Sequence, residues 1–269
     1  MLNDEAMLRA ELERVEAHAR AVAGLRSERI EAGAFDAFFP REDEAPAYAI
    51  PARLAEDKVA LANDLAALAD AFHARGLPLR VELTLFLWPE LPPALDAAGL
   101  VQVEDSPLFI VDPAGFRPKP PGPLHARWIE AGENPAFALS LVRQGFELRG
   151  PPPAPEEVAA LRASLDGPLR LAVADLDGRP AGAGFSMPAG PTTEISGLAT
   201  LPAQRRHGVA AGVASFLVGE HFRAGGELAW GVTDDPRAIA LLFGLGFRDA
   251  GLRVGWTEAQ DPKEPKENS

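Results

Sequence analysis

Residues 194–212 read Glu194-Ile195-Ser196-Gly197-Leu198-Ala199-Thr200-Leu201-Pro202-Ala203-Gln204-Arg205-Arg206-His207-Gly208-Val209-Ala210-Ala211-Gly212. A β-type run stops at Pro202, a short basic loop follows, and a helical run starts at Gly208. Helix starts leave backbone N–H groups unpaired and carry the positive end of the macrodipole. Such a start is a ready anion site, suited to a pyrophosphate. Gly208 has no Cβ to keep phosphates away from the backbone, and Ala210 is small for the same reason. Arg205, Arg206 and His207 add donors and positive potential in a chain whose formal net charge is -13. An ordinary strand–turn–helix with solvated basic residues would carry the same letters.

Around this stretch the second half of the chain alternates helices and strands. Helices are predicted at Pro135–Phe146 and Pro155–Leu165, the latter with proline in its first turn, where a missing N–H costs little. A strand at Leu169–Ala174 meets the hairpin signal Asp177-Gly178 and returns over Ala181–Met187. A third strand spans Thr192–Leu201. The helix from Gly208 runs to Arg223 with Val209, Val213, Phe216 and Leu217 on one face and ends at Gly225-Gly226. Glu227–Val232 is a strand, Pro236–Phe243 a helix and Gly251–Trp256 the last strand.

In the first half, Leu8, Leu12, Val15, Ala19 and Val22 recur at helical spacing, with Asp4 as the expected N-cap. A second helix carries Leu54, Leu61, Leu65, Leu68 and Phe72 and stops at Gly76. A strand follows at Arg80–Leu87, then a short helix at Pro93–Ala98 ending at Gly99, then a strand at Leu108–Val111. Pro113–Pro123, PAGFRPKPPGP, is neither helix nor central strand and reads as a linker between halves. The two halves close alike. Leu95, Gly99 and Leu100 match Leu242, Gly246 and Phe247 in a helix–glycine–strand step. An internal duplication explains this, although αβ units often end in that way.

Composition removes many functions. The chain has 269 residues, 47% hydrophobic and 24% charged, ample for one large or two medium globular domains. Zero cysteines exclude a disulfide framework, a thiol nucleophile, a Cys-ligated zinc and an iron–sulfur cluster, and permit a cytoplasmic location. The acidic balance makes nucleic acid a poor partner. No apolar run approaches a membrane span, and Met1–Glu16 is too acidic for a signal peptide. Among the five histidines (His18, His73, His125, His207 and His221) none are paired at i, i+4, so no zinc-protease motif and no metal is expected. Gly182-Ala183-Gly184 and Gly244-Leu245-Gly246 begin a dinucleotide pattern but lack its third glycine.

With these residues in view, Arg205-x-x-Gly208-x-Ala210 between a strand and a helix resembles the acyl-coenzyme A signature of the GNAT superfamily of N-acetyltransferases. Asp235-Pro236-Arg237-Ala238-Ile239-Ala240-Leu241-Leu242-Phe243-Gly244-Leu245-Gly246-Phe247 resembles the family's Asn-x-x-Ala-x-x-Leu-Tyr-x-x-x-Gly-Phe segment. The likeness covers roughly Leu124 to Glu258. The first half resembles a degenerate copy, as in tandem members; it has no glycine between Gly33 and Gly76, so no phosphate loop precedes its second helix. The implied fold is α/β of the α+β type: two GNAT-like domains, each a mixed, mostly antiparallel sheet flanked by helices, with a splayed central strand pair in the C-terminal one. The implied division is residues 1–115, a linker at 116–123, the acyl-CoA-binding domain at 124–260 and a disordered tail at 261–269.

The resemblance implies acetyl-CoA as co-substrate, without a metal. Leu198, Ala199 and Thr200 would pair with its pantetheine arm. The N–H groups of Arg206, His207, Gly208, Val209, Ala210 and Ala211 would hold the pyrophosphate, with Arg205 and Asp235 also at the cofactor site. An acetyl group would pass to a primary amine of a small molecule or peptide by direct attack in a ternary complex. A backbone N–H would stabilise the oxyanion. Glu194 is the candidate base, and strand alternation puts it on one face with Ser196, Leu198 and Thr200; an exposed strand carboxylate is the plainer alternative. Two positions depart from the family: Asp235 stands for asparagine, and Leu242 for the tyrosine that protonates the leaving thiolate. A catalytically weak or inactive acyl-CoA-binding module therefore stands beside the enzyme. The assembly expected is a monomer or homodimer.

Overall fold

The computed structural model describes residues 2–41, 46–120, 122–130 and 132–259. The expected tail at 261–269 and Pro121 of the proline-rich linker lie outside the described residues. The chain divides into two compact units: Met1–Ser106 with Gly251–Ser269, and Pro107–Ala250. The second boundary on each unit differs from the expected cuts at 115 and 260. The end of the last strand of each half, residues 107–111 and 251–258, lies in the other unit.

Unit 1 begins with α1 (Leu2–Arg26). Asp4 lies inside its first turn, not at its cap. Next come β1 (Ser27–Ala32), β2 (Phe35–Pro40) and β3 (Tyr48–Pro51), paired antiparallel in that order. No element was expected there from the sequence, because β2 is buried on both faces and shows no alternation. Gly33, at φ +57, makes the turn between β1 and β2. Then α2 (Lys58–His73) is capped by the Asp57 carboxylate, which accepts from the N–H groups of Val59 and Ala60 at 2.8 Å. Leu54, expected on this helix, precedes the cap and is exposed. β4 (Arg80–Thr84) pairs parallel with β3, and α3 (Leu91–Ala97) leads into β5 (Leu100–Val111). Leu61, Leu65, Leu68 and Phe72 of α2 pack on Phe35, Val81 and Leu83.

Unit 2 holds the end of β5, then β6 (Leu124–Trp128), α4 (Ala136–Gly145) and α5 (Pro155–Asp166). It continues with β7 (Arg170–Leu176), β8 (Arg179–Ala189), β9 (Thr192–Thr200), α6 (Val209–Arg223), β10 (Leu228–Val232), α7 (Pro236–Gly244) and the start of β11 (Arg248–Glu258). The β7–β8 turn is the predicted two-residue hairpin, with φ +51 at Asp177 and +74 at Gly178. β6, β7, β8 and β9 run antiparallel, β9 and β10 run parallel, and β10 pairs antiparallel with β5. Val209, Val213 and Leu217 of α6 are buried against Ile195 and Ala229.

The two halves repeat one order. β1-β2-β3-α2-β4-α3-β5 corresponds to β7-β8-β9-α6-β10-α7-β11, each with one parallel pair in the middle. Leu95 and Leu242 are both buried, and Gly99 and Gly246 both take positive φ (+84 and +90) at the step into the last strand. That last strand is exchanged. Residues 253–257 of β11 pair with β4 inside unit 1, and residues 108–111 of β5 pair with β10 inside unit 2.

Candidate active site

The site grows from a defect in β9. Opposite β8, Ala199 pairs with Ala183 and Ser196 with Phe185, so β9 spends one residue more than its partner. The extra residue lies at Gly197-Leu198, and Gly197 takes φ +58. This is a β-bulge opened by a glycine that side chains would not tolerate: a Cβ there would meet the Phe185 ring at 2.5 Å. The bulge interrupts alternation. Directly paired residues share a face, so Glu194 lies with Met187 and Ser196 with Phe185, on the side of α4. Leu198 and Thr200 turn instead to the side of α6, Thr200 opposite Gly182. The expectation that Glu194, Ser196, Leu198 and Thr200 share one face is thus corrected by one inserted residue.

On its other edge β9 leaves its neighbour. Parallel pairing with β10 ends at Glu194 opposite Trp230. A Cβ on Gly231, the next residue of β10, would lie 2.9 Å from the Ile195 carbonyl oxygen, so this glycine marks the last close approach. From Ser196 to Thr200 β10 pairs with nothing on β9. Two glycines of β8 bring α6 down on the sheet beside this opening. A Cβ on Gly182 would meet Val209, and one on Gly184 would meet Val213, Leu198 and Leu217. Gly182-Ala183-Gly184 is therefore a packing device.

Past β9 the chain makes a 3-10 turn at Pro202–Gln204 and enters α6 through Arg206 at φ +67 and Gly208 at φ +77. Gly208 is the N-cap, and no side chain caps the helix. Its carbonyl accepts from the Gly212 N–H at 2.9 Å, while a Cβ on it would meet nothing within 4 Å. Val209 is buried; Arg206, His207 and Gly208 are exposed, and Ala210 and Ala211 are half-buried. The start of α6 thus presents uncapped N–H groups to open space. Thr200 Oγ1, just upstream, is buried with no hydrogen-bond partner among the described residues.

Arg205 faces elsewhere. Its guanidinium donates to Glu147 Oε1 at 2.8 Å and to the Gly145 carbonyl at 3.0 Å, binding the C-terminal end of α4. Gly145 permits this closeness, since a Cβ there would be 2.7 Å from Ala199 Cβ and 2.9 Å from the Thr200 nitrogen. The side chain of Arg205 therefore braces α4 and is not aimed at the helix start. Asp235 is likewise committed: its carboxylate caps α7 by accepting from the Arg237 N–H at 2.9 Å. Leu242 is buried in the apolar cluster with Leu245 and Phe247. Gly145, Gly197 and the brace to Glu147 are the parts that sequence inspection missed. A glycine inside a strand was the available signal for the bulge.

A parallel pair that parts at a bulge, beside a bare helix start, is the arrangement against which relatives can be compared. Residues 138–247 match the model of the acetyltransferase (GNAT) family. They form a GNAT-family acetyltransferase domain. None of the curated proteins matches the chain. Among solved structures, a GCN5-related N-acetyltransferase from Kribbella flavida is 22% identical, with 93% of this chain and 96% of that one covered and a TM-score of 0.76. A tandem GNAT protein of the clavulanic acid biosynthesis pathway is 17% identical, covering 86% and 79%, at 0.60. A GCN5-related N-acetyltransferase from Sphaerobacter thermophilus is 14% identical, covering 84% and 76%, at 0.58. At these identities the likeness concerns fold, and the fold of the whole chain is that of tandem GNAT proteins. No helix among the described residues is long and apolar enough to cross a membrane.

Proposed function

We propose that unit 2 is an N-acyltransferase that passes an acetyl group from acetyl-CoA to a primary amine of a small molecule or peptide, by direct attack in a ternary complex. The observation that carries this is the parting of β9 from β10 beside the uncapped start of α6. The residues present fit such a co-substrate. Uncapped N–H groups at Val209, Ala210 and Ala211, with open space at Gly208, suit a diphosphate. The edge of β9 at Leu198, Ala199 and Thr200 suits an amide-bearing arm, and Thr200 Oγ1 offers a further hydrogen bond. Arg206 contributes positive potential at the helix start, and His207 offers a further hydrogen-bonding group there. Arg205 acts one step removed, by holding α4 in place.

When bound, acetyl-CoA supplies an activated thioester. Glu194 stands at the last β9–β10 pair, where the opening begins, and takes the proton of the incoming amine through water. A backbone N–H of β9 at the bulge holds the charge that develops on the carbonyl oxygen. The new bond is C–N and the broken bond is C–S. Leu242 is apolar and buried, so the leaving thiolate, whose conjugate acid has a pKa of about 8.5, takes its proton from water.

Leu242 and the cap role of Asp235 favour a second reading, a coenzyme A-binding module without turnover. Thiol release from acetyl-CoA, followed with a panel of amines, separates the two. Amine-dependent thiol release supports the transferase. Saturable coenzyme A binding with no thiol released from any amine supports the module, and failure of coenzyme A to bind removes both.

A further inference from the structure

Glu194 stands in a row of side chains that crosses three strands on the α4 side of the sheet. Met187 of β8 is its partner on one side and Trp230 of β10 on the other. Neighbouring strands lie about 4.8 Å apart, so these two are its cross-strand neighbours, and neither strand places a hydroxyl beside it. Hydroxyls come instead from β9 itself. The same face carries Thr192 two residues before Glu194 and Ser196 two residues after.

The two differ in what surrounds them. Thr192 pairs with Leu228 in the closed part of the ladder and is buried. Ser196 lies beyond the last β9–β10 pair, is matched only by Phe185 on β8, and is exposed. Its hydroxyl forms no hydrogen bond among the described residues. Leu198 and Thr200 turn to the α6 side, so Ser196 is the last β9 hydroxyl on the face of Glu194. The register is unbroken from Glu194 to Ser196, and the bulge falls just after. Residues two apart on a strand stand about 6.5–7 Å apart, a span that one water bridges with two hydrogen bonds of about 2.8 Å.

We propose that Ser196 is a positioning residue, whose hydroxyl holds the water that carries the amine proton to Glu194. The inference rests on the acyl-transfer reading of unit 2. The water takes the proton of the amine as it gives one of its own to the Glu194 carboxylate, and its remaining hydrogen is donated to Ser196 Oγ. One proton passes from amine to carboxylate, and the serine ends unchanged.

Steady-state kinetics of the full chain with acetyl-CoA and 2-phenylethylamine, 1,4-diaminobutane or glycinamide test it. Ser196→Ala should lower kcat about tenfold, the loss of one hydrogen bond to the water, with the amine KM and the coenzyme A Kd within about twofold of wild type. At an exposed position, its melting temperature should stay within about 2 °C of wild type. Ser196→Thr keeps the hydroxyl on a β-branched side chain suited to a strand, and should recover kcat to within about threefold. In a Glu194→Gln background Ser196→Ala should cost nothing further, because the serine acts only through that carboxylate. Wild-type kcat in Ser196→Ala, no recovery in Ser196→Thr, or a second tenfold loss in the double variant would overturn the proposal and leave the transferase standing. Absence of amine-dependent thiol release throughout would remove the acyl-transfer reading, and this inference with it.

Discussion

Replacing Gly208 by valine separates the anion site from the fold that carries it. Gly208 holds φ +77, a conformation that costs an L-residue about 1–2 kcal/mol. A Cβ there meets nothing within 4 Å, so no packing penalty is added. At about 2–4 °C per kcal/mol for a domain of this size, the melting temperature should fall by about 2–8 °C. Coenzyme A should suffer far more. The valine side chain occupies the space through which a diphosphate reaches the N–H groups at the start of α6. Two charge-assisted hydrogen bonds lost, at about 1.5–3 kcal/mol each, raise Kd by roughly 10²- to 10⁴-fold. Calorimetric titration of coenzyme A into wild type, Gly208→Ala and Gly208→Val, with melting curves on the same samples, measures both quantities. A Gly208→Val protein that melts as expected yet binds coenzyme A within threefold of wild type would refute the assignment of the diphosphate to this helix start.

Arg205→Ala should lower the melting temperature slightly while changing coenzyme A affinity less than threefold, since its guanidinium is spent on Glu147 and Gly145; a loss as large as that of Gly208→Val would put Arg205 on the phosphates. Asp235→Ala removes the cap of α7 and should cost about 1 kcal/mol in urea denaturation, with Asp235→Asn close to wild type. Glu194→Gln should reduce kcat about 10²- to 10⁴-fold with unchanged coenzyme A affinity and a flattened pH–rate profile; wild-type turnover would remove it from the mechanism. Burial holds the His221 imidazole below its ordinary 6.5, against backbone hydrogen bonds to Pro191 and Leu228 that raise it. The folded state therefore binds this proton less readily than the unfolded chain, and stability present above pH 6.5 is lost as pH falls through the folded value. Melting temperatures between pH 7.5 and 5 should decline less steeply in His221→Gln than in wild type.

Local chemistry made much of unit 2 legible. Asp177-Gly178 dictates a two-residue turn, Pro202 stops β9, and Gly208 starts α6. Each is a backbone preference written in one or two residues. The parting of β9 and β10 is not written locally, because it depends on which strand lies beside which. The bulge had a local mark in Gly197, yet its consequence was a change of face for Leu198 and Thr200, which alternation alone gets backwards. The diversion of Arg205 depends on Glu147, 58 residues away. In unit 1, β1 to β3 escaped notice because β2 is buried on both faces and β1 shows no regular alternation.

The exchanged last strands bear on synthesis. Val254 and Trp256 complete the core of unit 1, and the Trp256 indole donates to Asp96 at 3.1 Å. When the ribosome has made Ser106, that core still lacks residues 251–258, the last of them 152 positions later (258 minus 106). At about 5–20 residues per second the nascent N-terminal half waits roughly 8–30 s for its final strand. A gene cut within the proline-rich linker would strip Val254 and Trp256 from one product and Phe109 and Val111 from the other, so each product would lack part of its own core.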